Sequence, residues 1–206
     1  MRVIVSGFAA LSLTAFFSVA SLATPLAQTG ARDEAYREWE SIALGRADFY
    51  VSDPTLLPSR LALAAGQSGC RYKEDINDVP IRFLIVASRR LAMVFCSGPG
   101  GSHQVFDLSD LTKPLLMEFP YLAHPEGFGV TSRPGAITWK PDSGLFEAES
   151  GSDLCGSSAV RHTYRLASSG FVVIRIEATP DSCARNVWTT IWEAPRWSPP
   201  GQPRAR

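Results

Sequence analysis

Neither sign of charge is in surplus: Lys+Arg and Asp+Glu each number 20 in 206 residues. A nucleic-acid binder needs a basic excess to neutralise phosphates, so that partner class is disfavoured. Histidine is scarce, with only His103, His124 and His162. There is no H-E-x-x-H, no H-x-H and no closely spaced cysteine pair. Asp75 with Asp78, and Asp107 with Asp110, lack calcium-loop spacing. No metal and no cofactor is therefore expected. No G-x-S-x-G is present, and the Gly-rich run at 98–102 lacks the Lys-Thr/Ser pair of a phosphate cradle. No apolar run beyond residue 23 is long enough to cross a bilayer.

The chain does carry an apolar leader. Residues 1–23 contain Arg2 and no other charged residue, then an apolar run ending at Ser21-Leu22-Ala23. A positive start, an apolar stretch and a small-residue exit read as a secretory signal peptide cut after Ala23. An uncleaved anchor is the rival reading. No cysteine lies near the exit, so a lipoprotein is excluded. Removal of the leader leaves one more acid than base and no membrane span. The expected location is the periplasm or the exterior.

The remainder divides into a helix and loop region (24–79), a β-rich domain (80–195) and a Pro-rich tail (196–206). Apolar residues at helical spacing predict a short helix over 33–44, with Asp33 and Glu34 at its start and Gly45 as its stop. A second turn of helix is expected over 58–65. Strands are expected over 81–86, 91–96, 104–108, 115–119, 136–139, 145–148, 160–166, 171–177 and 187–192. Turn residues such as Pro141…Gly144 and Gly170 separate several of them. The fold class is mainly β, an antiparallel sandwich- or barrel-like body with a short N-terminal helix.

An exported chain meets an oxidising compartment, so four cysteines suggest two disulfides. Cys155 and Cys183 stand 13 and 15 residues either side of a hairpin turn near Ser168, which brings them together at its open end. That leaves Cys70 with Cys96, either bridged or as buried free thiols.

Leu154-Cys155-Gly156, Gly170-Phe171, Pro180…Cys183 and Trp192-Glu193-Ala194, with the middle strands through Cys96 and Pro120, resemble an exported proteobacterial family. It is the domain of unknown function family eleven-seventy-six. The resemblance covers about 80–195 and implies periplasmic location and a β-rich body, with no catalytic residues. Leu154 stands where that family has Asp, and 98–103 departs from its aromatic-bearing segment.

His162 alternates with Val160, Tyr164 and Leu166 on one strand face and reads as a core histidine. Ser102, His103 and Asp107 could be drawn as a triad, but adjacent residues on a strand point to opposite faces. Trp188 and Trp192, four apart, are expected on one face as packing residues. No residue is assigned a catalytic role. The first functional reading is a disulfide-stabilised binding module for an envelope component or another periplasmic protein. The alternative is an envelope-polymer hydrolase using His103, His124 and Glu126. The sequence leaves oligomeric state open.

Overall fold

A computed structural model describes residues 25–97, 101–123, 127–151, 158–181 and 187–195. The leader, the Pro-rich tail, His124, Glu126, Cys155 and Cys183 lie outside the described residues. The elements in chain order are α1 (Pro25–Ala43), β1 (Asp48–Val51), a 3₁₀ turn (Pro54–Leu56), α2 (Ser59–Gln67) and α3 (Tyr72–Asp75). Twelve strands are completed by β2 (Ile81–Val86), β3 (Arg89–Cys96), β4 (Ser102–Asp107), β5 (Leu115–Leu116), β6 (Phe119–Ala123) and β7 (Gly127–Thr131). The last five are β8 (Ala136–Lys140), β9 (Leu145–Gly151), β10 (Ala159–Ala167), β11 (Gly170–Thr179) and β12 (Thr189–Glu193). The fold is mainly β and antiparallel, with a helix on its N-terminal side.

The strands form two five-stranded meanders, β1-β2-β3-β4-β5 and β12-β11-β10-β9-β8, and the separate hairpin β6-β7. Each strand in a meander pairs with its sequence neighbour, so short turns suffice. The tip between β2 and β3 is Ala87-Ser88, with both φ positive (49° and 66°). Two left-handed residues match the twist of a two-residue hairpin, and β3 therefore starts at Arg89, two positions before the expected strand 91–96.

The first meander is covered on both faces. Towards the helices, Phe49, Val51, Phe83, Ala92, Val94 and Phe106 pack with Trp39 and Ile42 of α1 and Leu61 of α2. Towards the second meander, Leu84, Leu91, Met93 and Val105 pack with Phe119, Phe146, Tyr164, Phe171 and Ile176. Alternation along each strand feeds the two cores, as a pleated strand buried on both sides requires. The architecture is therefore three layers: helices, sheet, sheet.

Five elements differ from expectation, and two of them, the short α3 (Tyr72–Asp75) and β7 (Gly127–Thr131), lie where no element was expected. Helix α1 begins at Pro25, eight residues early, so Asp33 and Glu34 lie within it rather than in its first turn. Proline suits a first helical position because the missing N–H has no partner there. Trp39, Ile42 and Ala43 are buried as expected, with Ala35 completing the face, whereas Tyr36, expected beside them, is exposed. The helix ends as read, at Gly45 (φ +74°), and Arg46 donates to the Ile42 and Ala43 carbonyls. Strand β1, in the segment read as helix and loop, pairs with β2 through Phe49↔Phe83. The segment 115–119 is not one strand. Leu115–Leu116 closes the first sheet, and Phe119 starts the β6-β7 hairpin.

Cys70 and Cys96 are bridged. The bond ties the end of α2 to the end of β3, and Asp75 accepts from the Ser97 N–H at 3.1 Å beside it.

Candidate functional site

The two described histidines are structural acceptors. His103, near the start of β4, donates its backbone N–H to the Gly135 carbonyl at 2.9 Å. Its ring Nδ1 accepts from the Ile137 N–H at 3.0 Å. Ser102 Oγ accepts from the Gly135 N–H at 3.2 Å. These bonds stitch the first sheet to β8 of the second. Burial pushes the His103 pKa down to about 4, and an Nδ1 that already accepts an N–H resists protonation in the same direction. The triad Ser102, His103 and Asp107 does not form, because Asp107 sits at the far end of β4 and pairs with Arg89 at 3.2 Å. His124 and Glu126, the partners named with His103 in the hydrolase reading, lie outside the described residues.

His162 is 2% exposed. Its Nε2 accepts from the Leu122 N–H at 3.0 Å, joining β10 to β6. Burial holds its pKa near 4. Its Nδ1 and the neighbouring Tyr164 hydroxyl are buried without a hydrogen-bond partner among the described residues.

The outer face of the second sheet has a different chemistry. Facing away from the core are Lys140 of β8, Glu147 and Glu149 of β9, Arg161, Thr163 and Arg165 of β10, and Arg175 and Glu177 of β11. Cross-strand register places opposite charges together. Lys140 meets Glu147 at 3.2 Å, and Arg161 meets Glu149 at 2.8 Å. Arg175 lies 3.5 Å from Glu177. Arg165 has no carboxylate partner among the described residues.

Two bulges shape this face. Thr163 pairs with Arg175 and Tyr164 with Val173, which leaves Ile174 as the extra residue of β11. Ile176 pairs with Trp192 and Glu177 with Thr190, which leaves Ile191 extra in β12. The second bulge flips the side-chain alternation between Trp188 and Trp192. Trp188 lies under the Arg161 guanidinium on the outer face, 4.1 Å from guanidinium carbon to ring centroid. Trp192 faces inward against Phe128 at 5.6 Å. The expected shared face is thus corrected: an inserted residue reverses the period-two pattern.

At the first bulge an open cleft of about 640 Å³ is lined by Thr163, Arg165, Ile174, Arg175, Glu193 and Leu145, with Ala194 and Pro195 at its rim. Thr163 is 2% exposed, and its hydroxyl is buried without a partner among the described residues. The Arg175 Nε is also buried, and its charged neighbour among the described residues is Glu177 Oε2 at 3.5 Å. These residues were not singled out from the sequence. Arg161-His162-Thr163-Tyr164-Arg165 does alternate polar and core residues, which marks a face; the bulge that hollows it has no sequence signature.

Among the described residues no group of three or more His, Cys, Asp or Glu could hold a metal ion, and no helix is long and apolar enough to cross a membrane. Comparison with protein-family models, with curated proteins and with solved structures gives no match.

Proposed function

We propose that the protein is an exported, disulfide-stabilised binding module that takes its ligand or partner on the outer face of the second sheet. The partner class is an envelope component or another periplasmic protein. The observation that carries this reading is the Thr163 hydroxyl, buried without a partner among the described residues on the bulged strand pair between Arg165 and Arg175. A buried hydroxyl left without a bond costs on the order of 1–3 kcal/mol, which a ligand accepting from it would offset. The two arginines add charge-assisted donors for an acidic group. The leader-like segment 1–23 supports export. The Cys70–Cys96 bridge fits an oxidising compartment, and the family resemblance over 80–195 points the same way.

The test is affinity capture from native periplasm with wild type and with Arg165→Gln/Arg175→Gln, each folded by circular dichroism. The expected result is a specific partner lost in the double variant. A partner retained at equal affinity would move the site elsewhere. Intact mass of the native protein is expected to begin at Thr24, and retention of 1–23 in a membrane pellet would overturn the cleaved reading. Turnover of a peptidoglycan or ester panel by wild type would replace binding with hydrolysis.

A further inference from the structure

A second cleft, on the opposite side of the molecule, gathers positive charge from three separate elements. It encloses about 790 Å³ between α1, the start of β3 and the loop joining β4 to β5. Arg32 and Tyr36 come from α1, Arg90 from β3, and Asp110, Thr112 and Lys113 from the loop.

Arg90 is the informative residue. Its guanidinium lies over the rings of Tyr36 and Trp39, 5.8 and 5.7 Å from their centroids. Its Nε is buried, and among the described residues it has no hydrogen-bond partner and no carboxylate pairs with it. Aromatic faces hold a guanidinium in place without neutralising it.

The one carboxylate lining the cleft is already committed. Asp110 Oδ1 accepts from the Thr112 N–H at 2.9 Å and from the Thr112 hydroxyl at 2.6 Å. Those bonds, with the charges of Lys113 and Arg32, hold its carboxyl below the usual range. Asp110 keeps its negative charge, so three cations face one carboxylate and the cleft lining is left with a positive surplus. A concave wall concentrates that field and attracts an anion of matching size.

We infer that this cleft binds a small ligand bearing a dianionic phosphoryl group. Arg32, Arg90 and Lys113 take the phosphoryl oxygens, and a flat ring on the ligand lies against the exposed side of Tyr36. A dianion is favoured over a carboxylate because each cation interacts with both charges. The exposed ring, 48% accessible, is why an aryl phosphate should exceed inorganic phosphate. This inference is independent of the second-sheet cleft.

The experiment titrates the purified protein with phenyl phosphate, inorganic phosphate and benzoate at low ionic strength, where screening is weak, by calorimetry. Saturable binding is expected in the order phenyl phosphate, inorganic phosphate, benzoate. Arg32→Gln/Lys113→Gln changes two exposed side chains and should fold normally. It should bind phenyl phosphate at least about tenfold more weakly. Arg37→Gln/Lys73→Gln, with the same charge change at other exposed positions, should bind as wild type does. The inference is overturned by absence of saturable phenyl phosphate binding up to about 10 mM. It is equally overturned by equal loss in both double variants, which would reduce the effect to net charge.

Discussion

The two meanders have the same strand count and the same neighbour order, yet they differ in what they leave unsatisfied. The first is buried on both faces and closed by aromatic packing. Phe49 stacks on Phe83 at 5.0 Å, and Trp39 meets both edge-on. A disulfide pins its β3 end to α2. The second is buried on one face only. Of the buried side-chain polar atoms without a hydrogen bond among the described residues, those of His162, Thr163, Tyr164 and Trp188 belong to it or to its last strand's approach, as does the Arg175–Glu177 ion pair at 3.5 Å, against Arg90 and Ser97 in the first half. Unpaired buried polar atoms cost stability, and a protein retains them where another requirement competes. The contrast separates a scaffold sheet from a presenting sheet.

The join between the two sheets is where that division can be broken most severely. Gly135 has φ +108°, and a Cβ there would lie 1.9 Å from the Glu149 carbonyl oxygen. No side-chain movement relieves a clash with backbone. Gly135→Ala should also pull away the partners of Ser102 and His103. The expected loss exceeds about 4 kcal/mol, seen as insoluble protein or a collapsed thermal transition. A near-normal melt would mean that the sheets do not depend on this stitch.

Acid should attack the same join and the second core. His103 and His162 have folded pKa values of about 4, below the unfolded value near 6.5. Protonation therefore favours the unfolded chain. Their contribution is complete above about pH 6.5 and is lost as pH falls through 6.5 towards 4. The loss is on the order of 3 kcal/mol for buried His162 and smaller for the partly exposed His103, whose contribution solvent screens. Denaturant midpoints measured from pH 7 to pH 4 should fall, and His103→Gln should flatten the profile. A level profile would show that both rings already titrate normally.

The first sheet should depend on its bridge. The Cys70–Cys96 bond closes a separation of 26 residues, worth about 3–4 kcal/mol in the chain-entropy model. Cys70→Ser/Cys96→Ser should lose that amount while keeping the second-sheet surface intact, so partner capture by folded protein should survive. Loss of capture with retained folding would couple the sheets more tightly than the comparison allows.

What the sequence made legible follows the local physics. Period-two alternation and turn residues marked most strands, and His162 was readable as a core residue because Val160, Tyr164 and Leu166 flank it on one face. The pair Cys70–Cys96 was legible only as the remainder of another pairing. Strand β1 was missed because four residues, Asp48–Val51, are too few to show a period. The start of α1 was missed because residues before Asp33 are small and lack an apolar face. The cleft at Thr163 was invisible because it lies at a single-residue bulge, at Ile174, that register alone creates. The Arg90 cleft was invisible because its walls come from residues 32, 90 and 113, distant in sequence.

The finest test of the contrast is one oxygen atom. Tyr164 is fully buried and its ring packs edge-on against Phe119 at 5.2 Å and stacks beside His162 at 5.9 Å. Burial pushes its hydroxyl pKa upward, so the group stays neutral. If the hydroxyl is unbonded, Tyr164→Phe keeps the ring contacts and removes only a desolvated polar atom. Stability should then rise by about 1 kcal/mol, a shift of a few degrees in Tm. In the first core Phe83→Leu has no such atom to remove and should lower stability by losing the contacts with Phe49 and Trp39. A fall in Tyr164→Phe would mean that the hydroxyl is bonded, and the Nδ1 of His162, whose ring stacks on Tyr164 at 5.9 Å, would be the first partner to examine. The acid profile separates the two outcomes. A hydroxyl bonded to that ring would make the variant's pH dependence differ from wild type. An isolated hydroxyl would leave the profile unchanged and the second core would stand as the one carrying polar cost.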